Sequence, residues 1–172
     1  MELKEKKLAE FPMDLNFLHN DTDNCYDQTL SLHDCVAEKV CYSDGILRFY
    51  LSDGLWVLPA HDANKLGKIV KTDAAVVDFR IKDPDDITVR VFTQRRFRKT
   101  YVEYWEMRDL IDAVNSGKCI IDFIYQYRTF FEQMWSCAIR SGKKPYYRWC
   151  QLHLEQTEAV FRWNNLLPER EW

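Results

Sequence analysis

The stretch Ser43-Asp44-Gly45-Ile46-Leu47-Arg48-Phe49-Tyr50-Leu51-Ser52-Asp53-Gly54 decides the fold class of this chain. Two Ser-Asp-Gly triplets flank a short segment in which apolar residues alternate along the chain. Asp-Gly pairs favour tight hairpin turns, because Gly adopts positive φ angles without steric cost. The spacing therefore predicts a β-meander with strands at 35–42, 46–51 and 55–58.

One helical pattern stands out in the rest of the chain. Apolar residues recur with helical spacing at Met107, Leu110, Ile111 and Val114. The segment Thr100–Glu103 has the form of a capping box, and Gly117 suits a position just beyond a helix end. The sequence therefore predicts one amphipathic helix near 101–116.

Alternating apolar and polar residues predict strands on both sides of this helix, five before it and four after it. Short connections favour antiparallel pairing. We therefore expect an α+β fold that is mainly antiparallel β, with about nine strands in a sandwich-like arrangement or a partly open barrel. Residues 1–31 are predicted to form an N-terminal arm and loop, with 19–24 at the surface, and 32–172 a single β-rich domain.

Composition and charge limit the classes of protein to which this chain can belong. Of the 172 residues 47% are hydrophobic, which excludes global disorder. The net charge of −3 is unevenly distributed: residues 1–86 hold 10 Lys/Arg against 17 Asp/Glu, and residues 87–172 hold 14 against 10. Two faces of different charge suit a protein-binding molecule, whereas a general nucleic-acid binder would be strongly basic. We therefore expect another protein as the partner.

The chain shows no membrane or secretory signal. No apolar segment follows the charged start, and no run of 18 apolar residues occurs. None of the six cysteines forms a Cys-x-x-Cys pair, so we expect reduced, mostly buried thiols. A cytoplasmic protein without a membrane contact or a cofactor is the resulting prediction.

Two His-Asp dipeptides are the sharpest candidates for chemistry. His33-Asp34 opens the first strand of the predicted meander, and His61-Asp62 follows its last strand. Two imidazoles and two carboxylates are able to hold a divalent metal ion that activates water. The alternative is that both aspartates stabilise turns, and that reading is favoured because short motifs often match by chance. A metal-dependent hydrolase is therefore a secondary hypothesis, and no residue is assigned a catalytic role.

A basic cluster precedes the predicted helix. It comprises Arg95, Arg96, Arg98 and Lys99, and Tyr101 follows it. Basic residues next to aromatic ones bind phosphate backbones or acidic protein surfaces. Because the net charge of the chain is negative, the favoured interpretation is that the cluster is a solvated strand end. If the cluster binds a partner, we expect that partner to be an acidic protein surface.

Aromatic side chains are concentrated in the C-terminal strands. They are Tyr125, Tyr127, Trp135, Tyr146, Tyr147, Trp149, Phe161 and Trp163. Such residues pack in cores, line ligand pockets or anchor protein interfaces. The sequence leaves these three roles open, and an aromatic-lined small-ligand pocket is a further hypothesis.

Three segments carry a resemblance to known proteins. They are Leu32-His33-Asp34-Cys35-Val36, Ser43-Asp44-Gly45-Ile46-Leu47-Arg48-Phe49 and Asp53-Gly54-Leu55-Trp56. This pattern resembles small bacterial proteins that are similar to immunity proteins of polymorphic-toxin systems. The resemblance implies a cytosolic, non-enzymatic protein that neutralises a toxin by covering its surface. The leading hypothesis is thus a binding protein that acts through a protein–protein surface.

Overall fold

The computed structural model describes residues 16–23, 29–83, 85, 87–94, 99–128 and 133–172. These residues form one helix, α1 (Met107–Asn115), and fifteen strands. The strands before the helix are β1 (His19–Asp23), β2 (Leu30–Ser31), β3 (Cys35–Ala37), β4 (Lys39–Ser43), β5 (Ile46–Leu51), β6 (Trp56–Val57), β7 (Val70–Thr72), β8 (Ala75–Ile81), β9 (Thr88–Gln94) and β10 (Thr100–Trp105). Those after it are β11 (Cys119–Arg128), β12 (Gln133–Ser141), β13 (Tyr147–Leu154), β14 (Gln156–Trp163) and β15 (Leu166–Glu171).

The strands pair antiparallel in three sheets. A five-stranded sheet has the order β1-β14-β8-β5-β4, a six-stranded sheet has the order β10-β9-β13-β12-β11-β3, and a four-stranded sheet has the order β15-β7-β6-β2. The prediction of a β-rich α+β fold with antiparallel pairing is confirmed. The described strands outnumber the nine expected and do not close into a barrel.

Aromatic side chains join the five-stranded and six-stranded sheets across the core. Phe49 of β5 contacts Phe79 of β8 and Phe123 of β11, with ring centroids 5.9 and 5.2 Å apart. Trp135 of β12 contacts both Phe79 and Phe123, at 5.9 and 5.3 Å. These side chains are fully or almost fully buried. Edge-to-face geometry adds to the hydrophobic stabilisation of such clusters, so this group fixes the inner faces of both sheets.

The helix lies against β4 and β11 and is shorter than expected. Leu110 and Val114 are buried, as the apolar stripe predicts. The helix begins at Met107, because residues 100–105 form β10 and pair with β9. The backbone N–H of Glu106 donates to Asp109 Oδ2 at 3.1 Å, so the cap lies six residues later than predicted. Gly117 has φ of 70° and follows the helix end, which confirms its capping role.

The predicted meander is correct in its first half only. Asp44 and Gly45 both have positive φ angles, and β4 pairs with β5 as a tight hairpin. The expected first strand is divided at Glu38, so that β3 joins the six-stranded sheet and β4 the five-stranded sheet. The expected third strand is also displaced, because β6 pairs with β2 and β7 in the four-stranded sheet.

Gly54 is the point at which the chain leaves the five-stranded sheet. Its φ angle is 74°, and a Cβ built there would lie 2.3 Å from the backbone oxygens of Thr72 and Asp73. The next residue, Leu55, donates its N–H to Thr72 Oγ1 at 3.0 Å. The carboxylate of Asp53 pairs with Lys71 and Arg170. The second Asp-Gly turn is therefore a crossing between sheets rather than a hairpin.

A polar segment that the sequence predicts as a surface loop forms an edge strand. Residues His19–Asp23 make up β1 and pair in register with β14, from His19 opposite Trp163 to Asp23 opposite Ala159. Backbone hydrogen bonds stabilise this strand irrespective of its polar side chains, which is why hydrophobic alternation did not reveal it. The ring of His19 also stacks on Trp163, at 5.1 Å.

One buried carboxylate connects three strands of the five-stranded sheet. Asp78 of β8 is 4% exposed and accepts two hydrogen bonds from Arg48 of β5, at 2.5 and 2.6 Å. Arg162 of β14 donates to the same carboxylate. Burial alone would raise the pKa of Asp78, but the hydrogen bonds and charges of the two guanidinium groups outweigh it and lower the pKa.

Among the described residues, α1 is the one helix, and it is neither long nor apolar enough to cross a membrane.

Candidate functional site

Five exposed aromatic side chains lie on one face of the six-stranded sheet. Trp149 and Tyr147 alternate along β13 with the buried residues Cys150 and Leu152, so they point away from the core. Directly opposite residues of antiparallel strands share a face, and the register places Tyr104 of β10 and Tyr125 and Tyr127 of β11 on this same face. We call this surface the aromatic face and define it by Tyr104, Tyr125, Tyr127, Tyr147 and Trp149.

Strand register shows how far the aromatic face extends. One row across five strands is Tyr104, Arg90, Gln151, Ser136 and Tyr125. With neighbouring strands about 4.8 Å apart, the two tyrosines are separated by about 19 Å. A parallel row contains Val102, Phe92 and Trp149. The five defining side chains are between 46% and 71% exposed, so aromatic groups face solvent across five strands, with polar side chains between them.

The charges on the aromatic face are mainly positive. Arg90 lies over the ring of Tyr104, with Cζ 5.9 Å from the centroid, and its Nε is buried without a hydrogen-bond partner among the described residues. Arg140 pairs with Asp122 at 2.5 Å. Register places the turn with Lys143 and Lys144 at the same end of the sheet as Lys99. This end of the face therefore attracts acidic groups.

The predicted basic cluster is only partly described. Arg95, Arg96 and Arg98 lie outside the described residues, while Lys99 is exposed next to the start of β10. Tyr101 is 44% exposed, but it lies opposite Thr93 and so points to the other side of the sheet from Tyr104. The structure therefore separates Tyr101 from the aromatic face, and it brings Lys99 to the edge of that face.

The two His-Asp pairs lie in different surroundings. Asp34 adopts a φ of 54° in a turn that is closed by the hydrogen bond from the N–H of Cys35 to the carbonyl oxygen of Leu32 at 2.9 Å. His61 is buried, with Nε2 2.7 Å from Asp21 Oδ2, and Asp62 is exposed. Within the described ranges, no three His, Cys, Asp or Glu side chains meet in a group suited to a metal ion.

His33 lies instead at a cleft between the six-stranded and four-stranded sheets. The cleft has a volume of about 330 Å³. Its lining residues are Leu30, Ser31, Leu32, His33, Trp56, Leu58, Ile69, Ile124, Tyr125, Gln126, Trp135 and Trp172. We call it the His33 cleft. None of these side chains is acidic, and none is a Lys or an Arg.

A β-bulge shapes the His33 cleft. The register between β11 and β12 shifts between Phe123 and Tyr125, which leaves Ile124 as the extra residue. The carbonyl oxygen of Ile124 contacts Nδ1 of His33. A carbonyl can only accept, so Nδ1 carries the proton and holds the imidazole in place. The sequence did not indicate this bulge, because no Gly or Pro marks it.

Two aromatic rings lie next to the ring of His33. Its ring stacks on Trp172, with centroids 5.1 Å apart and planes inclined by 18°, and it lies 5.6 Å from the ring of Tyr125. Trp56 donates its Nε1 proton to the carbonyl oxygen of His33 at 2.8 Å and contacts Trp172 at 5.1 Å. The lining therefore combines a fixed imidazole with large aromatic surfaces.

The cysteines that the structure describes are free thiols. Cys137 and Cys150 are buried directly opposite each other on β12 and β13. Burial raises the pKa of Cys35 and Cys150 to about 12 and also raises the pKa of Cys137. These three thiols are therefore protonated at neutral pH and are poor nucleophiles. Cys25 lies outside the described residues.

Comparison of this chain with protein-family models, with curated proteins and with solved structures gives no match.

Proposed function

We propose that this protein is a non-enzymatic binding protein whose aromatic face docks on an acidic protein surface. The observation that supports the proposal is the set of five exposed Tyr and Trp side chains on one face of one sheet. Tyr and Trp are enriched among the residues that dominate protein–protein binding energy. Monomeric proteins rarely expose such a patch without a function for it.

Charge defines the chemistry of the partner. The Nε of Arg90 has no hydrogen-bond partner among the described residues, and Lys99, Lys143 and Lys144 lie at one end of the face. Carboxylates of a partner would complement these groups and steer the encounter. The resemblance to immunity proteins makes a toxin with an acidic surface the first partner class to test.

The test replaces Trp149 by Ala and measures the affinity of the variant for a purified partner. The partner is first captured from the native host with the whole chain, identified and purified. Calorimetry then compares wild type, Trp149→Ala and Trp172→Ala. We expect Trp149→Ala to weaken binding about 30-fold, as loss of a central aromatic anchor does. Trp172→Ala should leave the Kd unchanged, because Trp172 lies at the His33 cleft.

Salt dependence supplies a second measurement on the same complex. Because long-range attraction between exposed charges is screened, association should become slower as ionic strength rises. Equal binding by wild type and Trp149→Ala would contradict the proposal. A nucleic acid, or a second copy of this chain, as the molecule bound through the aromatic face would also contradict it.

A further inference from the structure

We propose that the exposed edge of β10 pairs with the same edge of a second copy of this chain, so that two six-stranded sheets join into one antiparallel sheet. Val102 lies at the two-fold axis of this dimer. The pairing is edge to edge, so it leaves the aromatic faces uncovered and does not depend on the proposed docking of an acidic protein. The inference rests on the strand order, on the side chains of β10 and on the restriction that symmetry places on the register.

β10 is the outermost strand of the six-stranded sheet. It pairs with β9 along its whole length, from Thr100 opposite Gln94 to Trp105 opposite Val89, without a register shift. No other described strand pairs with it. In an antiparallel ladder, every second residue of an edge strand directs its N–H and C=O groups away from the neighbouring strand. These groups form a template for one more strand.

The other edge strands of the described sheets are short, polar or protected. β2 and β3 contain two and three residues, and β1 consists of polar and acidic residues. In β4, the N–H of Val40 donates to Oδ1 of Asn115 at 3.0 Å, and Nδ2 of Asn115 donates to the carbonyl oxygen of Val40 at 2.7 Å. β15 contains Pro168 and a register shift between Leu167 and Glu171. Such features prevent pairing with a further strand.

β10 lacks these protective features. Its sequence, Thr100-Tyr101-Val102-Glu103-Tyr104-Trp105, contains no Pro, Lys or Arg. Val102 and Tyr104 are 44% and 71% exposed. β-branched and aromatic side chains stabilise strands by contacts with directly opposite residues, so β10 offers side chains that favour pairing with another strand.

Symmetry restricts the register in which two copies of β10 are able to pair. A two-fold axis perpendicular to the sheet makes the copies antiparallel and keeps equivalent side chains on the same face, so one residue lies opposite itself. An axis at Val102 pairs residues 100–104 of both copies, and an axis at Glu103 pairs residues 101–105. An axis at any other residue of β10 pairs fewer. Since an axis at Glu103 would place two carboxylates directly opposite each other, Val102 is the central residue.

The side chains that face each other in this register are complementary. Val102 packs against its own copy, and Thr100 lies opposite Tyr104 of the second copy on the same side as the aromatic face. On the other side, Tyr101 lies opposite Glu103 of the second copy. No like charges oppose each other, and aromatic and β-branched residues oppose small or polar ones. The edge of β10 therefore fits a second copy of itself.

The size of the interface determines how strong the dimer is. A standard protein–protein interface buries about 1,600 Å² in total, and one strand from each copy buries less. We therefore expect a reversible dimer with a micromolar or weaker Kd. Because pairing uses the same edge of both copies, the two-fold contact is closed and association stops at the dimer.

The test measures the mass of the whole chain by analytical ultracentrifugation, from about 5 µM to about 500 µM. It compares wild type, Val102→Lys, Val102→Glu and an equimolar mixture of these two variants. Thr22→Lys is the matched control, because it places the same charge on an exposed residue of the edge strand β1. Circular dichroism verifies that each variant is folded.

We expect the average mass of wild type to rise with concentration from that of one chain towards that of two. Val102→Lys and Val102→Glu should each weaken the dimer about tenfold, because like charges then lie directly opposite each other. The mixture should dimerise about as well as wild type, because opposite charges meet at the axis. Thr22→Lys should also dimerise like wild type.

Hydrogen exchange of wild type provides a measurement that needs no variant. Dimerisation should slow the exchange of the backbone amides of β10 that point away from β9, and this protection should increase with protein concentration. The amides of β1 belong to a different edge, so their exchange should not depend on concentration.

A mass of one chain at every concentration would overturn the proposal. Undiminished association of both charged variants, or species larger than a dimer, would show that the chains associate elsewhere. If the folded variants fail to dimerise when mixed, the axis at Val102 is wrong. Trp149 lies on β13, which β9 separates from β10, so none of these results bears on the role of Trp149 in protein binding.

Discussion

Replacement of Gly54 by Ala is expected to lower the free energy of unfolding by about 4 kcal/mol, which combines backbone strain with overpacking. The φ angle of 74° disfavours any residue with a Cβ, and the added methyl group would lie 2.3 Å from two backbone oxygens. These oxygens belong to Thr72 and Asp73, which are held by their own hydrogen bonds at the crossing between sheets. The backbone there has little freedom to relax.

Gly67→Ala is the matched control for this substitution. Gly67 has a φ angle of 69°, but nothing lies within 4 Å of the position that its Cβ would occupy. It should therefore show the conformational cost alone, about 1 kcal/mol. Urea denaturation of both variants measures the difference. If Gly54→Ala lowers the free energy of unfolding no more than Gly67→Ala does, the close packing that we assign to Gly54 against β7 is wrong.

Replacement of Asp78 by Asn is expected to lower the free energy of unfolding by about 3 kcal/mol at pH 7. The change leaves Arg48 and Arg162 half-buried without their shared carboxylate. Both arginines keep some access to water, so the expected loss is at the lower end of the range for broken buried ion pairs. Thermal or urea denaturation is the measurement.

The effect of Asp78 should depend on pH in a defined direction. The unfolded chain has an aspartate pKa of about 3.9, and the pKa of Asp78 in the folded protein is lower. The carboxylate therefore stabilises the fold fully above the unfolded value, and this contribution is lost as pH falls through the folded value. The difference between wild type and Asp78→Asn should shrink accordingly on acidification.

Glu158→Gln provides the comparison for Asp78. Glu158 of β14 forms an exposed pair with Arg80 of β8 at 3.2 Å, which joins two of the three strands that Asp78 connects. Surface pairs of this kind contribute less than about 1 kcal/mol. A loss for Asp78→Asn no larger than that for Glu158→Gln would contradict the structural role assigned to the buried carboxylate.

Local patterns predicted the elements better than they predicted how the elements assemble. The Asp44-Gly45 turn and the apolar stripe with Leu110 and Val114 depend only on residues that are close in sequence, and both predictions are confirmed. The second turn, Asp53-Gly54, has the same Asp-Gly sequence, but the close approach of Gly54 to β7 makes it a crossing between two sheets. Such contacts between residues distant in the chain leave no periodic signal.

The candidate sites were accessible from the sequence to different degrees. In β13, Tyr147 and Trp149 alternate with Cys150 and Leu152, so the exposed side of that strand follows once its inner side is known. The His33 cleft combines residues as far apart as His33 and Trp172. No single segment of the sequence contains a pattern that indicates the cleft. The bulge at Ile124, which shapes the cleft, is not marked by a Gly or a Pro.

The order of strands in the sheets has a consequence for biosynthesis. Each sheet contains a strand from the last 26 residues: β13, β14 and β15 belong to three different sheets. In the five-stranded sheet, β1 pairs only with β14, so its hydrogen bonds must wait until residues 159–163 have been synthesised. Pairing between such distant segments gives high contact order and slow folding. Nascent chains should therefore expose unpaired strand edges until the segments of β13, β14 and β15 have been synthesised, and chaperones bind such edges.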